Sequence, residues 1–409
     1  MIDRVADRPR GDATSPMASF DPSAHPIARP SHAADPSLDV LLVAQPTSYG
    51  VAVYVRDLAA AAVAAGHRVT VVCPGAEHGP LAAWVISAGA RHRRLDMRRL
   101  PSFRDIVDVV ELRRLARGRD IVHLHSSKAG ALGRVAVATL GRRRPPVVVT
   151  PHYWSWLVGG RLAPMYRTVE RLLARRCDAI VAVSEREAAD GRMVLRSAVD
   201  RIVVNQSGVS LTRFSPEGPL ADRRDDVPLI VCVGRLSHQK GQDIAVRAVA
   251  QLRHPTAILR LVGAESHPGE AARLRDLAVS LGVANRIEFR GETSDPALEF
   301  RAADVVIAPS RWEGMSLVFL EAMACGAAMI VADVAGSEVI ADVGIVVPPD
   351  DPGAIARALD DLLEDDLRRQ RLRASAREQS RHFDSADMSR RNLELWEGLA
   401  TRRRASSDS

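Results

Sequence analysis

The stretch PLIVCVGRLSHQKG, residues 228–241, decides the fold of this chain. It begins as an almost uniformly apolar run and ends in a turn that starts at Gly234, contains Arg235 and Lys240, and closes at Gly241. Such a run is typical of a parallel β-strand that is covered by helices on both faces. The glycines of the turn permit a close approach between the backbone and a ligand. The stretch therefore predicts a strand, a ligand-binding turn and then a helix.

Runs of the same kind recur along the chain in two series, separated by longer segments with helical periodicity. The first series is 38–44, 68–73, 120–125, 146–151, 178–184 and 201–205, and the second is 228–234, 257–263, 286–291, 304–310, 328–334 and 344–349. Alternation of strands and helices indicates right-handed βαβ units. We therefore predict an α/β fold with two Rossmann-like, doubly wound parallel-sheet domains that face a cleft.

Prolines and a run of charges interrupt the periodicity near 209–227 and mark the predicted link between the two domains. The residues before the first strand are rich in Pro, Ser and Ala without periodicity, which is typical of a disordered segment. The predicted organisation is a leader (1–37), an N-terminal Rossmann-like domain (38–214), a C-terminal Rossmann-like domain (215–380), a helix that packs back on the N-terminal domain (381–401) and a tail (402–409).

Cysteine usage and hydropathy predict a location in the cytoplasm. The four cysteines lie far apart in apolar runs and have no metal-ligand spacing, so they are expected to be core residues in a reducing compartment: Cys73, Cys177, Cys232 and Cys325. The first residues lack the apolar core of a signal peptide, and no apolar stretch approaches the ~20 residues of a membrane span.

Charge is distributed unevenly between the two halves. Residues 38–214 contain 27 Lys and Arg against 14 Asp and Glu, whereas residues 215–380 contain 19 against 26. A basic half of this kind orients a protein on the inner face of an anionic membrane, or it is simply a solvated, arginine-rich surface. Nucleic acid is not an expected partner, because aromatic residues make up only 4% of the chain and the charge is bipolar.

A second motif, SRWEGMSLVFLEAMACG at 310–326, follows the fourth strand of the second series. Ser316 is expected to cap a helix and Gly326 to end it. The helix is apolar almost all round, so Glu321 within it needs a polar partner or a ligand. Glu313 occupies the preceding turn, where we expect it to reach the cleft.

Two cations five positions apart in a glycine-bounded turn suit a diphosphate, with the partial positive charge of the next helix adding to the attraction. The alternative is a turn with two solvated cations. The chain has no Asp-x-Asp string that would hold a diphosphate through a metal ion. It also has no complete GxGxxG and no GxxxxGK[ST] string, which argues against a dehydrogenase and an ATPase.

The turn Gly234–Gly241, followed by Glu313 and Glu321, resembles the signature of the retaining glycosyltransferases of the GT-B fold, of the group 1 or family 4 type. The resemblance covers nearly the whole chain after residue 37. It includes AGHRV at 65–69, NQSGV at 205–209 and GSE at 336–338. The strings HSSKAG at 125–130 and TPH at 150–152 resemble enzymes that build cell-surface polysaccharides on lipid carriers.

The resemblance implies that Arg235 and Lys240 clamp the diphosphate of a nucleotide-sugar donor, without a metal ion or another cofactor. Glu321 would hold the ribose hydroxyls, and Glu313 would lie against the transferred sugar as a catalytic residue. The other donor-binding residues would be Gly50, in the loop after the first strand, and the backbone of Gly314, Met315, Ser316 and Leu317. Many members of the family have paired glycines in that loop, whereas this chain has one.

The resemblance implies that residues 38–214 form the acceptor-side domain and that residues 215–380 bind the nucleotide sugar. Two histidines end strands of the acceptor-side domain. The resemblance implies that His152 lies beside the reacting sugar as a second catalytic residue and that His125 forms a wall of the acceptor site. The predicted activity is retaining transfer of a sugar to a hydroxyl of a lipid-linked or polysaccharide acceptor. The alternatives are a non-catalytic nucleotide-sugar-binding protein and a sugar-nucleotide epimerase of the same fold.

Overall fold

The computed structural model describes residues 37–98 and 102–407. All of the predicted leader except Ser37 therefore lies outside the described residues. Seven strands form the first sheet: β1 (Asp39–Ala44), β2 (Arg68–Cys73), β3 (Arg91–Arg94), β4 (Ile121–His125), β5 (Val147–Thr150), β6 (Ala179–Ala182) and β7 (Ile202–Val204). Six strands form the second: β8 (Leu229–Val233), β9 (Ile258–Val262), β10 (Ile287–Gly291), β11 (Val305–Ala308), β12 (Met329–Ala332) and β13 (Ile345–Val347).

Helices lie between most successive strands of both sheets, and three further helices follow the last strand. Those of the first series are α1 (Tyr49–Ala64), α2 (Leu81–Ser87), α3 (Arg104–Ala116), α4 (Ser127–Ala138), α5 (Ser155–Val158), α6 (Ala163–Leu173) and α7 (Glu185–Val194). Those of the second are α8 (Gln242–Val249), α9 (Glu270–Ser280), α10 (Pro296–Ala302), α11 (Leu317–Ala324), α12 (Pro352–Glu364), α13 (Asp366–Ser380) and α14 (Ser385–Ser407).

All strand pairings in both sheets are parallel, and this confirms the predicted α/β class with two Rossmann-like sheets. The strand order is β3-β2-β1-β4-β5-β6-β7 in the first sheet and β10-β9-β8-β11-β12-β13 in the second. The order reverses between β1 and β4 and between β8 and β11. Ligands of such sheets bind beyond the carboxyl ends of the strands at these reversals. We refer to the space beyond these ends as the cleft.

Alternate residues of each central strand face two different cores, which explains the uniformly apolar runs. In β1, Val40 and Leu42 pack with α1, whereas Leu41 and Val43 pack with α3 and α4. Both faces of the strand are thus removed from water, so neither face selects polar residues.

The strand β3 was missed because its sequence, RHRR, contains no apolar residue. It pairs with β2 at the edge of the first sheet, and three of its four side chains are exposed. An edge strand can carry charged side chains because it needs no second buried face, and such charges discourage pairing with other chains.

The chain crosses back at its end, because α14 packs against α1 of the first sheet. Phe383 precedes α14, and its backbone carbonyl accepts a hydrogen bond from the backbone N–H of Val209. Trp396 of α14 is completely buried. All four cysteines are buried and free, as predicted. None of the helices in residues 37–98 and 102–407 combines the length and the apolar character needed to cross a membrane.

Candidate functional site

The turn after β8 has a backbone that glycine alone accommodates well. Gly234 and Gly241 both have positive φ angles, of 150° and 69°. A Cβ on Gly241 would collide with the backbone carbonyl of Pro309, at the end of β11. The side-chain amide of Gln242 donates hydrogen bonds from Nε2 to the backbone carbonyls of Gly234 and Arg235. The turn is therefore packed tightly against the neighbouring strand, at the point where the strand order reverses.

The two cations of this turn have different partners. The Nζ of Lys240 lies 2.6 Å from Oε1 of Glu313, and Glu313 is only 7% exposed. The guanidinium of Arg235 stacks on the ring of Tyr49, 4.7 Å from the ring centroid. Its Nε is buried and has no hydrogen-bond partner among the described residues. The predicted clamp residues thus lie at one edge, one held by a carboxylate and the other with an unused donor.

The segment after Glu313 presents its backbone to the cleft. Ser316 is the N-cap residue of α11, as predicted, but its side chain makes no capping hydrogen bond. Within the described residues, none of the backbone N–H groups from Gly314 to Leu317 donates a hydrogen bond. Such N–H groups at the start of a helix favour a negatively charged or oxygen-rich ligand. Gly326, which follows α11, has a positive φ of 65° and ends the helix as predicted.

Loops of the two sheets meet at Gly314. A Cβ on Gly314 would lie 2.9 Å from the carbonyl carbon of His152, which follows β5 of the first sheet. A Cβ on Gly336 would lie 2.9 Å from the sulfur of Met315. Both glycines are therefore required by close packing, and the predicted catalytic residue His152 lies directly against the predicted donor loop.

Gly50 differs in one respect from its prediction. It belongs to the first turn of α1 and not to a loop, because the helix already begins at Tyr49. Tyr49 itself has a left-handed φ of 62°. A Cβ on Gly50 would be 3.8 Å from the side chain of Leu317. Gly50 nevertheless lies within van der Waals distance of Leu317, another predicted donor-binding residue.

Glu321 lies on the second turn of α11, below the free N–H groups. Burial raises its pKa to about 7, and the positive charges of Arg213, Arg56 and Lys240 oppose that rise. Among the described residues no side chain donates a hydrogen bond to it. The residue is half-buried, and its perturbed carboxyl group has unused acceptor capacity, which suits a ligand that carries hydroxyl groups.

His152 has a neutral imidazole at physiological pH. Burial lowers its pKa to about 3, and its Nε2 lies 3.2 Å from Nδ1 of His125. Its φ of 58° is unusual for a residue with a side chain, and such backbone strain is frequent at functional sites. The structure places His125 behind His152 and not at the surface of the cleft, because the His125 side chain has no exposed area. His125 therefore contacts His152, and its role as a wall of the acceptor site stays a prediction.

A hydrogen-bonded group that the sequence analysis missed packs against these two histidines. Trp396 of α14 donates from Nε1 to Nδ1 of His123, which leaves Nε2–H of His123 to donate to Thr150 at 2.7 Å. Asn392 donates to the hydroxyl of Tyr54, whose ring meets His152 edge-on at 4.9 Å. The one signal in the sequence was Asn392 and Trp396, a polar residue and an aromatic residue four positions apart on the C-terminal helix.

Glu187, at the start of α7, was also missed. Burial raises its pKa to about 7, and the carboxylate accepts hydrogen bonds from the backbone N–H groups of Val183 and Tyr153. Its second oxygen, Oε1, is buried without a partner among the described residues. Tyr153 is the residue after His152, so a perturbed carboxyl group lies close to the acceptor side of the cleft. Its sequence context, SERE, looks like an ordinary helix start.

One group of metal-ligand type occurs among the described residues, and it lies outside these contacts. It consists of Glu77, His78 and Asp96. The guanidinium of Arg94 already binds the carboxylates of Glu77 and Asp96. The group is therefore explained by an exposed ion-pair network.

Two family profiles match the chain, "Glycosyl transferases group 1" over residues 227–365 and "Glycosyltransferase Family 4" over residues 49–213. The chain is 35% identical over 308 residues to the D-inositol 3-phosphate glycosyltransferase of Xylanimonas cellulosilytica, a match that covers 70% of this chain and 73% of that protein. The chain belongs to the group 1 glycosyltransferases. A second group 1 relative, the D-inositol 3-phosphate glycosyltransferase of Salinispora tropica, is 34% identical over 64% of this chain and 61% of that protein.

Solved structures of other glycosyltransferases have the same architecture. A glycosyltransferase of Rickettsia africae is 22% identical, with a TM-score of 0.77 over 89% of this chain and 99% of that chain. The Anabaena protein HepE, in complex with UDP-glucose, is 19% identical, with a TM-score of 0.76 over 88% of this chain and 100% of that chain. These structures agree with the predicted GT-B fold.

Proposed function

We propose that this group 1 glycosyltransferase transfers a sugar from a nucleoside-diphosphate sugar to a hydroxyl group, with retention of anomeric configuration and without a metal ion. The observation that carries this proposal is the meeting of three features at one edge of the cleft. They are the two cations Arg235 and Lys240, the free N–H groups from Gly314 to Leu317, and the unpartnered carboxylate of Glu321. A donor offers a diphosphate, sugar hydroxyls and ribose hydroxyls, one group for each feature.

Negative charge grows on the diphosphate as the bond from the sugar to its β-phosphate breaks. Arg235 and the N–H groups of the Gly314–Leu317 segment are fixed before the reaction, so they stabilise that charge without reorganisation. Lys240 is held by Glu313 in this structure. A bound diphosphate would attract Lys240 away from the carboxylate, which would leave Glu313 to face the sugar. Interactions that strengthen as the charge develops accelerate the reaction, whereas uniform binding does not.

Retention follows if the acceptor attacks from the side that the diphosphate leaves. The bond between the acceptor oxygen and the anomeric carbon forms while the bond to the phosphate oxygen breaks. The acceptor proton then passes to the departing phosphate. We assign no covalent nucleophile. The low pKa of His152 makes its ring neutral, so we assign it a hydrogen bond to the sugar and not the storage of a proton.

For the acceptor we propose a lipid-linked or polysaccharide precursor, on the basis of the HSSKAG and TPH strings beside the cleft. A second candidate is D-inositol 3-phosphate, because that acceptor appears in the names of relatives that are 35% and 34% identical. Supplying both acceptor types with the same donor separates the two, since only one should give a glycosylated product.

A thermal-shift screen of nucleotide sugars tests the donor site, because a ligand that binds the folded state selectively raises the melting temperature. We expect at least one ribonucleoside-diphosphate sugar to stabilise the protein, and its 2′-deoxy counterpart to stabilise it less. The E321Q variant should lose much of this preference for ribose. If no nucleotide sugar binds, the proposal fails. If one binds but neither transfer nor slow donor hydrolysis occurs, the non-catalytic alternative is correct.

A further inference from the structure

Large hydrophobic side chains are exposed mainly on one layer of helices. Among the described residues, most of those that are at least 36% exposed belong to α3, α4, α5, α6 and α7 or to their immediate ends: Phe103, Ile106, Val107, Val110, Val135, Leu157, Val158, Leu162, Met165, Val169, Leu172 and Met193. Exposed apolar residues scattered singly need no explanation, but a concentration on one face marks an interaction surface.

The helix α6 carries the clearest part of this surface. Leu162, Met165, Val169 and Leu172 follow one another at intervals of three or four residues, so they share one side of the helix. All four are between 38% and 67% exposed. The neighbouring side contains Glu170, which is buried and pairs with Arg134 of α4. The apolar side of α6 is therefore turned away from the protein.

Arginines occupy much of the rest of the exposed surface of α6 and its two ends. The exposed ones on α6 and beside it are Arg161, Arg167, Arg171, Arg175 and Arg176. In the part of the chain that the structure describes, none of these five forms an ion pair with a carboxylate. Arg171 and Arg175, together with Leu172 and Met193, also line an open groove between the ends of α6 and α7. An exposed side that combines apolar residues with unpaired arginines is complementary to an apolar phase with a negatively charged boundary.

A second apolar stripe lies on the same layer. Phe103, Ile106, Val107 and Val110 share one side of α3 and are 95%, 69%, 63% and 63% exposed. The helix α4 packs against both α3 and α6, and its Val135 is 42% exposed. The apolar surface thus extends across three adjacent helices, as contact with a broad, flat partner requires. This layer covers the face of the first sheet opposite α1.

We propose that the outer face of α3, α4 and α6 lies on an anionic lipid bilayer, with the apolar stripes in the interface and the arginines at the headgroups. The inference rests on the proposed function in one respect, since a lipid-linked acceptor would then reach the cleft from the surface that holds the protein. A second copy of the chain suits this face less well. A two-fold contact joins a patch to itself, and it would bring unpaired arginines against arginines.

Co-sedimentation of the full chain with vesicles tests the surface independently of catalysis. Vesicles of phosphatidylcholine alone are compared with vesicles that also contain phosphatidylglycerol, over a series of salt concentrations. We expect binding to the anionic vesicles that weakens with salt, because the Debye length falls from ~10 Å at 0.1 M to ~3 Å at 1 M. No binding to anionic vesicles at low salt would overturn the proposal.

Two variants and a matched control locate the surface. Replacing Leu162, Met165, Val169 and Leu172 by Ser should weaken vesicle binding by at least about tenfold, since apolar area drives interfacial insertion. Replacing Arg167, Arg171 and Arg175 by Ser should weaken it by about a hundredfold, at about fivefold for each cation near an anionic surface. The control replaces Val279 and Leu367, exposed to a similar degree on α9 and α13, and should bind as the wild type does.

Donor-induced thermal shifts should be unchanged in all three variants, so a failure of the donor site and a failure of the membrane surface are distinguishable. Wild-type vesicle binding by both surface variants would overturn the assignment of the face. If instead the wild type is a dimer by light scattering and the apolar variant is a monomer, a second copy of the chain covers the face and the proposal is wrong.

Discussion

The ion pair between Lys240 and Glu313 allows a test of the arrangement of the donor site before a donor binds. In the K240A variant the carboxylate of Glu313, which is 7% exposed, loses the cation that lies 2.6 Å away. Glu313 accepts no other hydrogen bond from the described residues. The variant should therefore be less stable than the wild type even without a donor.

The burial of the two partners sets the magnitude. Breaking a fully buried pair costs about 3–5 kcal/mol, and an exposed pair contributes about 0–1 kcal/mol. The Lys240 side chain is 19% exposed and that of Glu313 9%, so this pair lies between those limits. We expect a coupling free energy of about 2 kcal/mol in a double-mutant cycle of K240A, E313A and the double variant. The double variant should be more stable than the sum of the single effects predicts.

Urea unfolding of the four proteins measures the coupling, and thermal shifts with a saturating nucleotide sugar measure donor binding. K240A should also lower kcat/KM by about a hundredfold or more, since it removes charge stabilisation of the leaving diphosphate. The control is K128A, because Lys128 of α4 is 13% exposed and pairs with Asp105 of α3, in the helix layer on the first sheet. K128A should lower stability and leave the donor shift unchanged. Stability losses that add within about 0.5 kcal/mol would refute the pairing.

Three further predictions concern protonation and metal ions. The pKa of Glu321 is raised to about 7, so kcat/KM for the donor should fall about tenfold per pH unit below pH 7 as the ribose-binding carboxylate is protonated. The check is the pH profile of E321Q, in which this fall in kcat/KM should be absent. The pKa of Glu187 is likewise raised, from 4.5 to about 7, so ionisation opposes folding: its stabilising contribution is full below about pH 4.5 and is lost as pH rises through 7. At pH 8 the free energy of unfolding of E187Q should therefore exceed that of the wild type by up to about 3 kcal/mol, and this difference should vanish near pH 4.5. Denaturant unfolding at both pH values measures it, and an equal difference at the two pH values would contradict this explanation. Transfer activity should survive excess EDTA, and loss that manganese or magnesium restores would show that a metal ion holds the diphosphate.

The strands and the donor-side motifs could be predicted because their physical causes are local. A strand buried on both faces must be apolar, and a turn that approaches Pro309 as closely as Gly241 does must contain glycine. The edge strand β3 escaped prediction because the same rule does not apply to a strand that is exposed on one side. Gly50 was predicted to lie in the loop after the first strand, whereas α1 already begins at Tyr49.

The contacts between distant segments could not be predicted in the same way. Nothing in the residues around His125 indicates that Trp396, more than 260 positions later, donates a hydrogen bond to the neighbouring His123. The hydrogen bond from Asn392 to Tyr54 is likewise distant in sequence. The burial of His125 behind His152 depends on tertiary packing, which includes Tyr54 and which a strand-end rule does not include. The basic half was recognised from its charge, whereas the apolar stripe of α6 became visible only once exposure was known.

The central claim is that the edge formed by Arg235, Lys240 and Glu321 binds a nucleotide sugar from which a sugar is transferred. The most direct measurement is a single-turnover reaction with a nucleotide sugar labelled in the sugar and an acceptor, followed by NMR of the anomeric centre of the product. We predict one equivalent of nucleoside diphosphate per sugar transferred and a product whose anomeric configuration is identical to that of the donor. The R235A/K240A double variant should form neither the nucleoside diphosphate nor the glycosylated product. Transfer at the wild-type rate by that variant, or a product of inverted configuration, would contradict the account.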